Sequence, residues 1–314
     1  MGVRRWLSGL YDATFRPSGP AVPYHVPRPP PAAEMDYAAA AALLTNGAVT
    51  LPSLVPSERV RAAREAIERA LGQGATAEDL GRMPEILALY HQTPLRAFVE
   101  ALLDAGVDPD TVGRELMRDY YSSTHRVTGA QVAIREPSEG CGTSGGVPPS
   151  WDSHWHVDGL WHDGPDGIKH TKKGEVGQFD ALVGVCLTDG HDAPFRGNLT
   201  VWPGGHELMA AQFASTNLLQ RLKDAGLSAL PRPQDLRPCP ARQLMLRAGD
   251  VCVVNYLMPH TVAPNVGSRR IMVYFRVSSR WWAGHGELPQ PALASPWHHW
   301  PGLRRRIAQS QNCV

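Results

Sequence analysis

No apolar run in this chain approaches the roughly 20 residues that a membrane-spanning helix needs, so membrane insertion is not expected. Net charge is nearly absent as well: 31 Lys and Arg against 30 Asp and Glu leave a formal +1. That balance lacks the electrostatic footprint of a nucleic-acid or anionic-membrane binder. Short basic runs, Lys172-Lys173 and Arg304-Arg305-Arg306, read as solvated surface. Cysteine is scarce, with five residues and no Cys-x-x-Cys pair. An odd count without a secretory leader points to a reducing, cytoplasm-like compartment. Cys186 and Cys252 lie in apolar runs, where a free thiol acts as a small hydrophobe. Arg4, Arg5 and Arg16 around Trp6, Leu7 and Leu10 form only a weak organelle-targeting pattern, against which Asp12 counts.

What the chain does have is length and pattern. Its 314 residues suffice for one large β-rich domain or two small ones. Residues 1–34 end in Val26-Pro27-Arg28-Pro29-Pro30-Pro31 and read as an extended, Pro-rich arm. The pattern predicts a helix over Tyr37 to Leu44 that stops at Asn46-Gly47, then a short strand over 48–52. A second helix is expected from Pro56 to Leu71, with Val60, Ala63, Ile67 and Leu71 on one stripe, and a third around Leu95 to Leu103.

From about residue 130 the period changes to that of strands. Gln131 to Arg135 alternates, and a Gly/Pro/Ser-rich loop follows to Ser150. Ala181 to Leu187 is nearly continuously apolar, as in a strand covered on both faces. Asn198 to Trp202 alternates and ends in the turn Pro203-Gly204-Gly205-His206, and a helical insert spans roughly Glu207 to Ala225. Two last strands cover Val251 to Leu257 and Ile271 to Val277. Helices followed by turn-separated strands predict an α+β chain, mainly β with flanking helices, whose strand half closes into a sandwich or jelly roll. The expected division is the arm, one domain over 35–280 with its β core at about 130–280, and a tail over 281–314.

Chemistry concentrates at Ser153-His154-Trp155-His156-Val157-Asp158-Gly159. In extended backbone, His156 and Asp158 face the same way. Alone, that spacing fits an ordinary hydrogen-bonded pair equally well. His260 ends an apolar run about a hundred residues downstream. Two His and one carboxylate on a β scaffold form the ligand set of a mononuclear non-haem iron site with open positions. Among 13 histidines the other match is His285-Gly286-Glu287, which follows the last strand and reads as surface. His154 shares the face but lacks its own carboxylate.

Alternation also sorts the last strand. Ile271, Val273, Phe275 and Val277 form an apolar face to pack beneath the N-terminal helices, so Arg270, Met272, Tyr274 and Arg276 point inward. A buried cation requires an anion, and a guanidinium suits a carboxylate. Either an internal Asp/Glu partner or a dicarboxylate cosubstrate such as 2-oxoglutarate would satisfy Arg270. Arg269 falls on the opposite face, and Arg276 lies deeper on the inward one.

The sequence resembles the phytanoyl-CoA dioxygenase-like family of Fe(II)/2-oxoglutarate-dependent oxygenases. The likeness lies in Asn46 to Pro52, Gln131 to Arg135, His156-Val157-Asp158-Gly159, Asn198 to His206, Ala248 to Val251, His260 to Asn265, and Arg270 with Tyr274-Phe275-Arg276. It implies a double-stranded β-helix (jelly roll, cupin-like) with N-terminal helices on the major sheet. It further implies Fe(II) on His156, Asp158 and His260, with 2-oxoglutarate on Arg270 and Gln131 lining that pocket. The activity implied is oxidation of a small organic substrate with O2, coupled to conversion of 2-oxoglutarate to succinate and CO2. Val262 and Gly205 stand where many members carry Ser, and the step from His260 to Arg270 is one residue shorter than usual. Asp158 separates the chain from the halogenase variant, in which halide takes the carboxylate's place. Trp155, Trp161, Trp281 and Trp282 are candidates to line a pocket for a flat or apolar substrate, or ordinary packing residues. The loop 164–177, with Lys169, Lys172 and Lys173, is a candidate cap. Rival readings are a cupin-like metal enzyme without 2-oxoglutarate and a non-catalytic jelly-roll scaffold.

Overall fold

The computed structural model describes residues 37–103, 130–137, 155–158, 179–225, 229–231, 240–277 and 293–304. The architecture is a mixture of helices and two antiparallel sheets. Helix α1 (Tyr37–Asn46) ends at Gly47, whose φ of 72° lets the chain reverse into β1 (Ala48–Leu51). Helix α2 (Ser57–Gly72) buries Val60, Ala63, Ala66 and Ile67 along one face. Leu71, expected on that stripe, is only partly buried.

Two short helices follow that the apolar period does not announce: α3 (Ala77–Gly81) and α4 (Pro84–His91). Their signals are local instead. Thr76 and Asp79 form a reciprocal capping box at α3, and α4 opens with Pro in its first turn. Helix α5 (Pro94–Leu103) completes this layer.

The strands are β2 (Gln131–Arg135), β3 (Ala181–Cys186), β4 (Leu199–Val201), β5 (Arg242–Gln243), β6 (Val251–Asn255), β7 (His260–Val262) and β8 (Arg270–Val277). The larger sheet has the order β1-β6-β3-β8-β2, and the smaller β5-β4-β7. Between β4 and β5 the helical insert divides into α6 (Gly205–Ser215) and α7 (Leu218–Ala225), because Thr216 adopts extended backbone. Strand β6 stops two residues short of the expected Leu257. The Asn255 side chain accepts from the Leu257 N–H at 2.9 Å and so begins a turn.

Alternation partitions the core. Val183, Val185, Val251, Val253, Ile271, Val273, Phe275 and Val277 join the helices α1 to α5 in one apolar cluster. Leu182, Cys186, Cys252, Val254, Met272 and Tyr274 join a second cluster with the smaller sheet and helices α6 and α7. Both cysteines are free and buried, and burial pushes the Cys252 thiol up to about 12, so neither is a ready thiolate. No helix among the described residues is long and apolar enough to cross a membrane.

Residues 293–304, within the stretch read from sequence as a tail, pack into the helical cluster through Trp297, Trp300 and Leu303. Polar anchors fix this segment. Asn255 donates to the Pro296 carbonyl at 2.7 Å, Tyr256 to Ser295 at 3.2 Å, and His299 lies 2.9 Å from buried Asp180. Trp300→Ala should therefore cost about 3–5 kcal/mol of stability, as large-to-small changes of buried aromatics do. Trp300→Phe should cost far less, since the indole N–H it removes has no partner. Urea denaturation checks both, and equal midpoints for Trp300→Ala and the parent would show that the segment is not part of the core.

Candidate metal centre

The turn after β6 delivers His260 to the first position of β7, where it pairs with the segment 155–158. His156 and His260 exchange both backbone hydrogen bonds, each 2.8 Å. Residues paired this way project side chains to the same face of a sheet. Their rings accordingly lie 4.4 Å apart between centroids. Asp158, two residues beyond His156, brings Oδ1 to 3.5 Å from His156 Nε2 and 3.7 Å from His260 Nε2. Ligand atoms of the three residues all lie within 4.8 Å of one another, close enough to hold a metal ion.

The protonation states suit that task. His260 is buried, which lowers its pKa to about 4, and His156 nearby adds to the effect. Its Nδ1 sits 2.9 Å from the Met258 carbonyl. A neutral ring then carries its proton on Nδ1 and leaves the Nε2 lone pair toward Asp158, the tautomer a metal needs. For Asp158, burial would raise the pKa. The Arg276 guanidinium foremost, with His156 and His260 adding to it, outweighs burial and holds the carboxyl well below the usual range.

Arg276 contacts Asp158 directly: Nη2 donates to Oδ2 at 3.0 Å. Its two Nη atoms also donate to Gln131 Oε1, each at 3.2 Å. Gln131 pairs across the sheet with Tyr274, four residues from the Arg135 and Arg270 pair on the same two strands. It therefore sits toward the Arg276 end of β8 rather than beside Arg270.

Arg270 is 1% exposed, yet its Nε and Nη2 have no hydrogen-bond partner. No carboxylate among the described residues forms an ion pair with it, so the internal-partner alternative has no support there. Gly197 (φ 71°) packs on this side chain, where a Cβ would meet Arg270 Cδ at an ordinary contact distance of 3.4 Å. Tyr274 also points inward, its ring laid against Gly184, where a Cβ would come within 2.8 Å of Tyr274 Cε1. Burial raises the Tyr274 pKa while the Arg270 guanidinium pulls it down. Arg135 lies directly opposite Arg270, and its pKa is lowered by burial, with Tyr274 raising it and Arg270 lowering it further. The half-buried Arg135 beside fully buried Arg270 concentrates positive charge at this end of the larger sheet. Arg269, on the outer face, pairs instead with Glu68 at 3.1 Å and Glu136 at 2.9 Å.

Trp155 is half-buried and packs against Trp202, with ring centroids 6.3 Å apart. Trp161, Trp281, Trp282, His154, His285-Gly286-Glu287, the loop 164–177 and the arm 1–34 lie outside the described residues. Sequence reasoning placed Arg276 inward but missed its contact with Asp158, and it missed Arg135 beside Arg270. Alternation in β2 and β8 carried both signals, but the pairing register that joins them is not written in either strand.

No family model matches the sequence, and no curated protein matches it. Solved structures do. The non-heme alpha ketoglutarate dependent carbocyclase SnoK from nogalamycin biosynthesis is 17% identical, covering 80% of this chain and 87% of its own at a TM-score of 0.47. The epimerase SnoN, also alpha ketoglutarate dependent, is 18% identical over 76% of this chain and 78% of its own, with a TM-score of 0.46. HygX from Streptomyces hygroscopicus, with nickel and 2-oxoglutarate bound, is 16% identical over 76% and 85%, with a TM-score of 0.45.

Proposed function

We propose that this chain is a non-haem Fe(II)/2-oxoglutarate-dependent oxygenase acting on a small organic molecule. The observation that carries the reading is the buried guanidinium of Arg270, whose Nε and Nη2 have no hydrogen-bond partner, on the same inward face as Arg276, which touches the Asp158 carboxylate. A cupin-like metal enzyme without a dicarboxylate cosubstrate would have no use for that cation, and a scaffold would have no use for either group.

His156, Asp158 and His260 would hold Fe(II), two imidazoles and one carboxylate matching the facial triad in kind and number. Arg270, with Arg135 adding positive potential, would bind the far carboxylate of 2-oxoglutarate and set its reach toward the metal. Gln131, tied to Arg276, would border the metal end. Bound iron with 2-oxoglutarate and O2 supplies the oxidising chemistry, which inserts oxygen into substrate and yields succinate and CO2. Met272, Cys252 and Val201 belong to the apolar cluster on this side of the larger sheet, and an apolar surrounding strengthens charge–charge contacts. A double-stranded β-helix is the closure this reading implies. In its support, the chain passes between the two sheets from β3 to β4 and again from β6 through β7 to β8.

Anaerobic addition of Fe(II) and then 2-oxoglutarate tests the reading. A visible iron-to-cosubstrate charge-transfer band is expected, and its absence in the parent protein would sink it.

A further inference from the structure

The two oxygens of Asp158 face different neighbours. Oδ1 lies 3.5 Å and 3.7 Å from the Nε2 atoms of His156 and His260, whereas Oδ2 accepts from Arg276 Nη2 at 3.0 Å. Arg276 is not a free-swinging surface side chain. Both of its Nη atoms also reach Gln131 Oε1 at 3.2 Å, and its Cζ stands 5.7 Å from the centre of the Phe179 ring. Gln131 comes from β2, Arg276 from β8, and Phe179 from the approach to β3. Two strands of the larger sheet and the segment leading into a third thus hold one guanidinium against one oxygen of the carboxylate.

That choice of oxygen has a coordination consequence. A carboxylate that binds a metal through both oxygens fills two positions; one whose outer oxygen is taken by a guanidinium offers the metal a single oxygen. Two imidazoles and a one-oxygen carboxylate would leave positions on a bound ion free, and a chelating cosubstrate and dioxygen would need them. Closing any of them would stop the reaction.

Resting on the oxygenase reading, we propose that Arg276 is a positioning residue: it fixes Asp158 as a one-oxygen metal ligand, and Gln131 orients its guanidinium. It acts through Asp158 and touches neither cosubstrate nor substrate.

The test uses the metal-free full-length chain titrated with cobalt(II) alone, read by the visible absorption of the bound ion and by its affinity. Arg276→Gln should weaken cobalt(II) binding about 10- to 100-fold, the usual cost of removing a group that orients a ligand. The cobalt spectrum should change in shape, and added guanidinium should partly restore both. Unchanged affinity and spectrum would overturn the proposal, even if turnover fell, because Arg276 would then be serving the substrate. Should Arg276→Gln fail to fold, Gln131→Leu decides: a smaller loss of affinity with the same spectral change supports the proposal, and no change overturns it. Because cobalt(II) needs no cosubstrate, normal cobalt behaviour with no 2-oxoglutarate band would sink the oxygenase reading alone.

Discussion

Arg270→Met should raise the 2-oxoglutarate concentration needed for half-saturation by about 100-fold or more, and at the same time stabilise the cosubstrate-free protein. Both effects have one cause. Truncating one member of a buried, hydrogen-bonded charge pair costs roughly 2–5 kcal/mol, and each 1.4 kcal/mol is a factor of ten in affinity. Without the dicarboxylate, however, Arg270 is a nearly fully buried cation with unpartnered Nε and Nη2. That arrangement costs folding free energy, and an apolar side chain of similar length beside Met272 removes the cost. A gain of about 1–3 kcal/mol should appear as a rise of several degrees in melting temperature. Arg269→Ala is the control. Its side chain is on the outer face, paired with Glu68 and Glu136, and half-exposed pairs of that kind contribute little. Titration of the charge-transfer band with 2-oxoglutarate, alongside thermal melts, reads both quantities. Equal loss of affinity in the two variants would move the carboxylate pocket away from Arg270.

The second large effect is expected at the three residues proposed to hold the metal. His260→Ala and Asp158→Ala should each lower Fe(II) affinity more than 100-fold, beyond what orienting groups usually contribute, and abolish succinate formation from 2-oxoglutarate. The two variants should differ in the metal-free protein. His260→Ala leaves the Asp158 and Arg276 pair in place. Asp158→Ala strands Arg276, although that side chain is partly solvated and keeps Gln131. The sign of the pH dependence follows from the Asp158 pKa, which is lowered in the folded state. A depressed carboxyl pKa contributes stability that is present above the unfolded value near 3.9 and is lost as pH falls through the folded one. Melting curves of the parent and Asp158→Asn should therefore be separated at neutral pH and converge in strong acid. His260, with its pKa at about 4 rather than the ordinary 6.5, is already neutral at pH 7. Protons should compete for that ring only on the acid side. Retention of succinate formation by Asp158→Ala would show that the carboxylate is not a ligand.

Much of the scaffold was legible because it depends on local period. The helices at Tyr37–Asn46, Ser57–Gly72 and Pro94–Leu103 and the strands at Ala181–Cys186 and Arg270–Val277 carry their spacing in a single stretch of chain. Helices α3 and α4 were not legible that way, because five and eight residues are too few to display an apolar period and their signals are caps. The segment 293–304 was misleading for a related reason. Trp297, Trp300 and Leu303 do not announce a partner, and the cavity they fill is made by residues far away in the chain.

At the site the division is sharper. Two-residue alternation by itself put His156 with Asp158, and Arg270 with Arg276, because the pleat of a strand is a property of neighbouring residues. It also set Arg269 outward. Only the tertiary structure decided that His156 and His260 share a pair of backbone hydrogen bonds, that Arg135 stands opposite Arg270, and that Arg276 closes on Asp158, 118 positions away in the chain. Register between strands is a global result, fixed by how the whole apolar set packs, and no single strand encodes it.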